Sequence, residues 1–287
     1  MSTNPTTLLS SSSARRLLER LPSRPSPLRA NIARTRELAA VAFKLKYEGS
    51  VLGYVWTLMK PLLIFGMMYA VFALFLLYGR ATTDNFPVQL LLGIVIWTFF
   101  ADATTGALTA FVSNADIIRK TSFPRWILVA AAVLSSTMTL VVNLALLTVI
   151  GLLLHFFSLS WQSLIFLPLL AELCVFTLGV CLVLATLYVS YRDLAHVWEV
   201  GLQFVFWASA VVFPLAIIPP RYLHVVVLNP MAQILEDMRR ALVTSHIGWS
   251  TQYLGLAELI PLFLVTVAAV FGVAVFRANS RRVSERL

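Results

Sequence analysis

Apolar residues dominate the chain in long runs, and polar residues gather between them. The runs follow no period-2 alternation and are far longer than a soluble core strand, so they predict helices. A bilayer asks for about 20 largely apolar residues per helical span. Six stretches supply them: 61–78, 88–111, 126–154, 165–189, 200–218 and 259–276. The predicted fold class is an all-α integral membrane protein with six transmembrane helices. An amphipathic interface helix precedes them at the N-terminal side, a short helix is expected in the first inner loop, and outer-face re-entrant helices are expected between spans five and six. The corresponding division is a disordered tail over 1–33, an interface segment over 34–58, the six-span domain over 59–277 and a second tail over 278–287.

The polar punctuation refines this. In KYEGSVLGYVWTLMKPLL, Lys46 to Leu63, Gly49-Ser50 predicts a bend, with Tyr54 and Trp56 placed as interfacial anchors. In SNADIIRKTSFPRW, Ser113 or Asn114 is expected to cap a short helix carrying Asp116 to Lys120, which Phe123-Pro124 interrupts. After the fifth run, Pro214, Pro219 and Pro220 forbid one regular helix. Asn229 as cap and Pro230 in the first turn start another, with Met231, Ile234, Leu235, Met238 and Leu242 as its apolar stripe. Glu236 and Arg240 are expected to pair at i,i+4 on its polar side.

Composition agrees: 59% of the 287 residues are hydrophobic and 12% charged, against roughly 25% charged in soluble domains. The net charge of +9 is explained by sidedness and not by nucleic acid. With the N-terminus inside, eighteen of the 22 Lys and Arg fall on inner segments and four, Arg80, Arg221, Arg239 and Arg240, on outer ones. Both termini are therefore expected in the cytoplasm.

No phosphate-binding loop, paired-cysteine or H-E-x-x-H metal motif, or nucleophile elbow occurs, and the histidines are scattered, so no catalytic centre and no metal site are expected. Asp102 lies inside the second span. It is read either as a polar group facing a translocation path or as a carboxylate bonded to Thr104 or Thr105 in an irregular turn.

YEGSVLGYVWTLMKPLL, NADIIRKTSFP, YRDLAHVWEVGLQ and VLNPM, in that order among six spans, make the chain resemble the membrane subunit of the ABC exporters of lipid-linked polysaccharide: the O-antigen, capsule and teichoic acid permeases. The resemblance runs from about Arg34 to near the end. It implies a homodimer bound to two copies of a separate ABC ATPase subunit in the bacterial cytoplasmic membrane. ATP and magnesium would belong to that partner, with no cofactor in this chain. It also implies that the inner loop, Asn114, Ala115, Asp116, Ile117, Ile118, Arg119, Lys120, Phe123 and Pro124, docks on the ATPase, aided by Tyr191, Arg192 and Asp193. Asn229, Pro230, Ile234 and Met238 would lie at an outer gate.

The cargo implied is a polysaccharide on polyprenyl pyrophosphate: O-antigen, teichoic acid or cell-wall galactan. Lys46, Tyr47 and Lys60 are candidates for its headgroup, against a simple role as positive-inside anchors. Phe65, Tyr69, Trp97, Phe99, Phe100 and Asp102 are candidates for the channel lining. Two other classes stand beside this reading: an ion-coupled secondary transporter and a membrane-embedded glycosyl-transfer protein.

Overall fold

A computed structural model describes residues 27–48, 52–75, 85–115, 118, 124–153, 155, 157, 161–213, 215, 218–243, 249–250 and 259–286. The described residues form nine α-helices and no strand: α1 (Pro27–Tyr47), α2 (Val55–Tyr69), α3 (Phe86–Ser113), α4 (Trp126–Leu153), α5 (Phe166–Tyr188), α6 (Leu194–Ala208), α7 (Pro220–Val227), α8 (Pro230–Leu242) and α9 (Leu259–Arg286). A π-helical turn, Ala70–Phe75, continues α2, and a 3-10 turn, Trp161–Ile165, leads into α5.

Among the described residues, five helical stretches are long and apolar enough to cross a bilayer: Val55–Phe72, Phe86–Ser113, Trp126–Leu153, Trp161–Tyr188 and Leu259–Asn279. α3 is the hub. It packs on α2, α4, α5, α6 and α8, and 72% of its most apolar stretch is buried, against 11% for Val55–Phe72 and 17% for Leu259–Asn279. α1 lies against α4, with Ala39 fully buried and Leu38 packed on the main core. α9 lies along α5, where Gly179 and Gly272 meet backbone to backbone: a Cβ at Gly272 would collide with the Gly179 carbonyl, and one at Gly179 would sit 2.6 Å from the Ala268 carbonyl oxygen. Small residues at such a crossing let backbones approach where lipid supplies no hydrophobic drive.

The structure corrects several expected boundaries. α1 begins at Pro27, inside the stretch expected as tail, since proline at a first helical position costs no hydrogen bond. α2 begins at Val55, six residues before the expected span, and keeps Pro61 buried within it. The bend expected at Gly49-Ser50 lies outside the described residues; the turn that precedes α2 occupies 52–54, with Gly53 at φ +48. α9 continues as helix to Arg286 through the expected C-terminal tail, whose 278–286 segment holds no Gly or Pro to stop it.

The largest departure is at the expected fifth span. α6 ends at Ala208, and the chain unwinds through Ser209–Phe213 with Ala210 left-handed at φ 50. No single helix therefore covers 200–218.

Candidate functional site

Lys46 sits at the end of α1 and Lys60 in the second turn of α2. Both ammonium groups reach one carboxylate. Lys46 Nζ donates to Asp102 Oδ2 at 2.8 Å, and Lys60 Nζ donates to Asp102 Oδ1 at 2.9 Å. Asp102 keeps 17% of its side chain exposed, Lys46 37% and Lys60 55%. This decides between the two readings of Asp102 in part: it is not bonded to Thr104, whose hydroxyl donates instead to the Phe100 carbonyl at 2.8 Å. A carboxylate inside a span needs a partner, and here it has two, which leaves the cluster with one net positive charge.

Asp102 stands 11 residues from the C-terminal end of α3, about 16 Å along the helix axis. The cluster borders a cavity of about 370 Å³ between α2, α3 and α4, lined by Trp56, Lys60, Leu63 and Ile64 from one face of α2, with Thr98 and Thr139 opposite. Lys46 and Asp102 also border a second cavity of about 480 Å³ between α1, α3 and α4. That cavity runs along Leu38, Val41 and Leu45 to Ser113 and Asn114 at the C-terminal end of α3. The site can hold an anion beside apolar surface.

In the loop after α3, the expected capping by Ser113 or Asn114 would engage residues outside the described ones; what is described is how Asn114 closes α3. Its Nδ2 turns back and donates to the Ala110 carbonyl at 2.9 Å, while its own carbonyl accepts from Ile118 N at 3.1 Å. Ile118 is half-buried against the core and Pro124 is exposed. Asp116, Ile117, Arg119, Lys120 and Phe123 lie outside the described residues, as does the side chain of Tyr47. Tyr191, Arg192 and Asp193 form an exposed turn between α5 and α6, with the Arg192 guanidinium over the Tyr188 ring.

The aromatics divide. Phe99 and Phe100 are each 2% exposed, and Phe100 stacks on Phe176 of α5, so any path reaching them would have to part this chain's own core. Trp97 contacts Phe100 and the edge of Phe206, joining α3 to α6. Phe65 and Tyr69 stack on each other along α2 and are half-buried.

α8 is buried from Pro230 to Arg239, including its charges. Arg239 is therefore not the solvent-facing charge that its count among loop residues implied. Its Nη1 pairs with Glu236 at 3.2 Å and donates to the Phe213 carbonyl at 3.4 Å, and its Nη2 donates to the Ala210 and Val211 carbonyls at 3.1 and 2.7 Å. The expected pair of Glu236 with Arg240 is replaced by this i,i+3 pair, while Arg240 lies over the Trp249 ring. Burial raises the Glu236 carboxyl pKa, against the lowering pull of Arg239.

Asn229 caps α8 as expected, accepting from Met231 N at 3.0 Å, and its Nδ2 also donates to the Ala208 carbonyl at 3.2 Å. The two side chains thus supply donors to the backbone that α6 leaves open, which unwound chain in an apolar setting requires. Gly93 of α3 makes room: a Cβ there would lie 2.6 Å from the Val211 carbonyl oxygen and 2.9 Å from Arg239 Nη2. Asp237 accepts from Gln233 and from both the backbone and hydroxyl of Ser250. Ile234 and Met238 are fully buried.

Sequence reasoning missed both arrangements. Their signal was present as a lone carboxylate in a span beside two lysines, and as a proline-broken segment followed by a helix rich in donors. Among the described residues no group of His, Cys, Asp and Glu could hold a metal.

The profile of the ABC-2 type transporter family matches residues 34–243. The chain belongs to this family. The ABC-2 chain is 30% identical to the O-antigen export system permease protein RfbA of Klebsiella pneumoniae over 251 residues, which cover 85% of this chain and 91% of that protein. It is 26% identical to RfbA of Myxococcus xanthus over 79% of this chain and 87% of the relative. The polysialic acid transport protein KpsM of Escherichia coli is 23% identical over 79% of this chain and 86% of its own length. ABC-2 membership accounts for an apolar helical chain without a nucleotide loop of its own.

Proposed function

We propose that this chain is the membrane permease subunit of an ATP-driven exporter of polysaccharide linked to polyprenyl pyrophosphate. The cargo would be O-antigen, teichoic acid or a cell-wall galactan. The observation that carries this is the alignment with O-antigen export permeases over 85% of the chain. Two lysines at an apolar cavity support the lipid-pyrophosphate end: an anionic head joined to a hydrocarbon tail needs that pairing of charge and grease.

In this reading two copies of the chain sit in the cytoplasmic membrane with both termini inside, joined to two ATPase subunits that bind ATP and magnesium. The loop from Asn114 to Pro124, with Tyr191 to Asp193 beside it, receives their motion. α7 and α8 re-enter the membrane from the outer side and, with Asn229, Pro230, Ile234 and Met238, form the outer gate. Phe65, Tyr69 and Trp97 offer flat surfaces to sugar rings.

The two rival classes have less support. Asp102 is committed to two lysines, which leaves it poorly suited to bind a coupling ion. A glycosyl-transfer centre would gather carboxylates or histidines at one interface, whereas the neighbouring carboxylates Glu236 and Asp237 on α8 are committed to Arg239, Gln233 and Ser250. The test is co-purification, in mild detergent, with an ABC ATPase encoded beside this chain, and stimulation of ATP hydrolysis by the complex. Absence of a complex, together with undiminished export in a strain lacking that ATPase, would overturn the reading.

A further inference from the structure

The two cavities at the inner half of the domain share Lys46 and Asp102 in their linings. One opens along α1 toward Ser113 and Asn114; the other is walled by α2 and reaches Leu63, Ile64 and Thr139. The ion pair between Lys46 and Asp102 is thus a partition, and Lys60 braces it from the α2 side. Asp102 divides its two oxygens between the two ammonium groups, one each. A phosphate group offers the same anionic contact with more oxygens and more charge, so it can take both ammonium groups at once.

We infer that Asp102 is a displaceable internal counter-ion: at rest it occupies the lysines in place of a phosphate-bearing lipid headgroup and closes the passage between the two cavities. The inference rests on the substrate class proposed above. An arriving headgroup takes Lys46 and Lys60 from Asp102, parting the partition so that the tail lies along the apolar cavity while the head stays at the lysines. The carboxylate remains tethered beside the phosphates, where like-charge repulsion makes the complex short-lived. Asp102 therefore sets how easily the headgroup leaves as well as how it arrives.

The experiment titrates the full chain in lipid nanodiscs with undecaprenyl pyrophosphate, undecaprenol and inorganic pyrophosphate, for the wild type and Asp102→Asn. Removing the competing carboxylate is expected to tighten undecaprenyl pyrophosphate by about fivefold or more, the scale of two half-exposed ion pairs. Undecaprenol should gain nothing, and inorganic pyrophosphate should remain the weaker ligand because it leaves the apolar cavity unfilled. Equal or weaker binding of undecaprenyl pyrophosphate by Asp102→Asn overturns the counter-ion role while leaving the substrate class intact. An equal gain for undecaprenol also overturns it, since charge would not be the cause.

Tighter binding of inorganic pyrophosphate than of the lipid would assign the site to a free phosphate and overturn the lipid-headgroup inference. No binding of undecaprenyl pyrophosphate to the wild type overturns the proposed substrate and this inference with it. If Asp102→Asn fails to fold, the same comparison is made between Lys46→Gln and Lys46→Gln/Asp102→Asn. That double variant keeps the wild-type net charge of the cluster, and it should bind more tightly than the single one.

Discussion

Arg239 donates a 2.7 Å hydrogen bond to the carbonyl of Val211, joining a buried helix to an unwound segment 28 residues earlier in the chain. That guanidinium also serves Ala210, Phe213 and Glu236, so one side chain seals most of the backbone left open after α6. Arg239→Met strands a buried carboxylate and several carbonyls together. Breaking a buried pair from one side costs about 3–5 kcal/mol. The expected result is a large fall in folded protein, read as loss of the monodisperse peak in mild detergent. Glu236→Gln/Arg239→Met should recover part of it, because the unpaired charge is gone.

Gly272 faces Gly179 with no room for a side chain. Gly272→Leu must push α9 off α5, and overpacking of this kind costs about 1–3 kcal/mol. A lower thermal midpoint in detergent, with α9 more readily cleaved by protease than in the wild type, is the expected outcome. An unchanged midpoint would place the crossing elsewhere.

The lysines should differ from surface anchors in what their loss does. Lys60→Gln leaves Asp102 paired with Lys46, so the chain is expected to reach the membrane at wild-type levels. Export should fall about tenfold, the scale of one charge-assisted contact to a phosphate. Quantifying surface polymer against membrane-inserted chain separates the two effects. Export that stays normal would return Lys60 to a topological role.

The loop from Asn114 to Pro124 carries the proposed coupling. Replacing Ile118 and Arg119 together by aspartate is expected to abolish export while the chain still inserts, with ATP hydrolysis no longer answering to substrate. Because Ile118 is also half-buried against the core, membrane level has to be measured beside export. Normal export from that variant removes the docking role.

The all-helical class and five of the six expected spans were legible, the first with its start displaced, because long apolar runs have one solution in a bilayer: a helix that satisfies its own backbone. The start of α8 was legible too, since Asn229 and Pro230 act locally. What could not be read was pairing at a distance. Asp102 lies 56 residues from Lys46 and 42 from Lys60, and nothing in local pattern sets which lysines fold back onto it. The fifth span failed for a related reason. Its apolar content favours a helix, but unwinding at Ser209–Phe213 became affordable only through Arg239, a residue whose charge suggested water.

The uneven burial of the spanning helices has a consequence for how such a chain can diverge. Away from the Lys60 cluster and the Gly272 crossing, many positions on α2 and α9 face outward and can carry apolar side chains of different shape. Those on α3 are held at once by α2, α4, α5, α6 and α8. Substitutions can therefore accumulate around the periphery one at a time, whereas α3 changes only in concert with several neighbours. A single change of side-chain volume on α3 is therefore expected to cost more stability than the same change on the outward faces of α2 or α9.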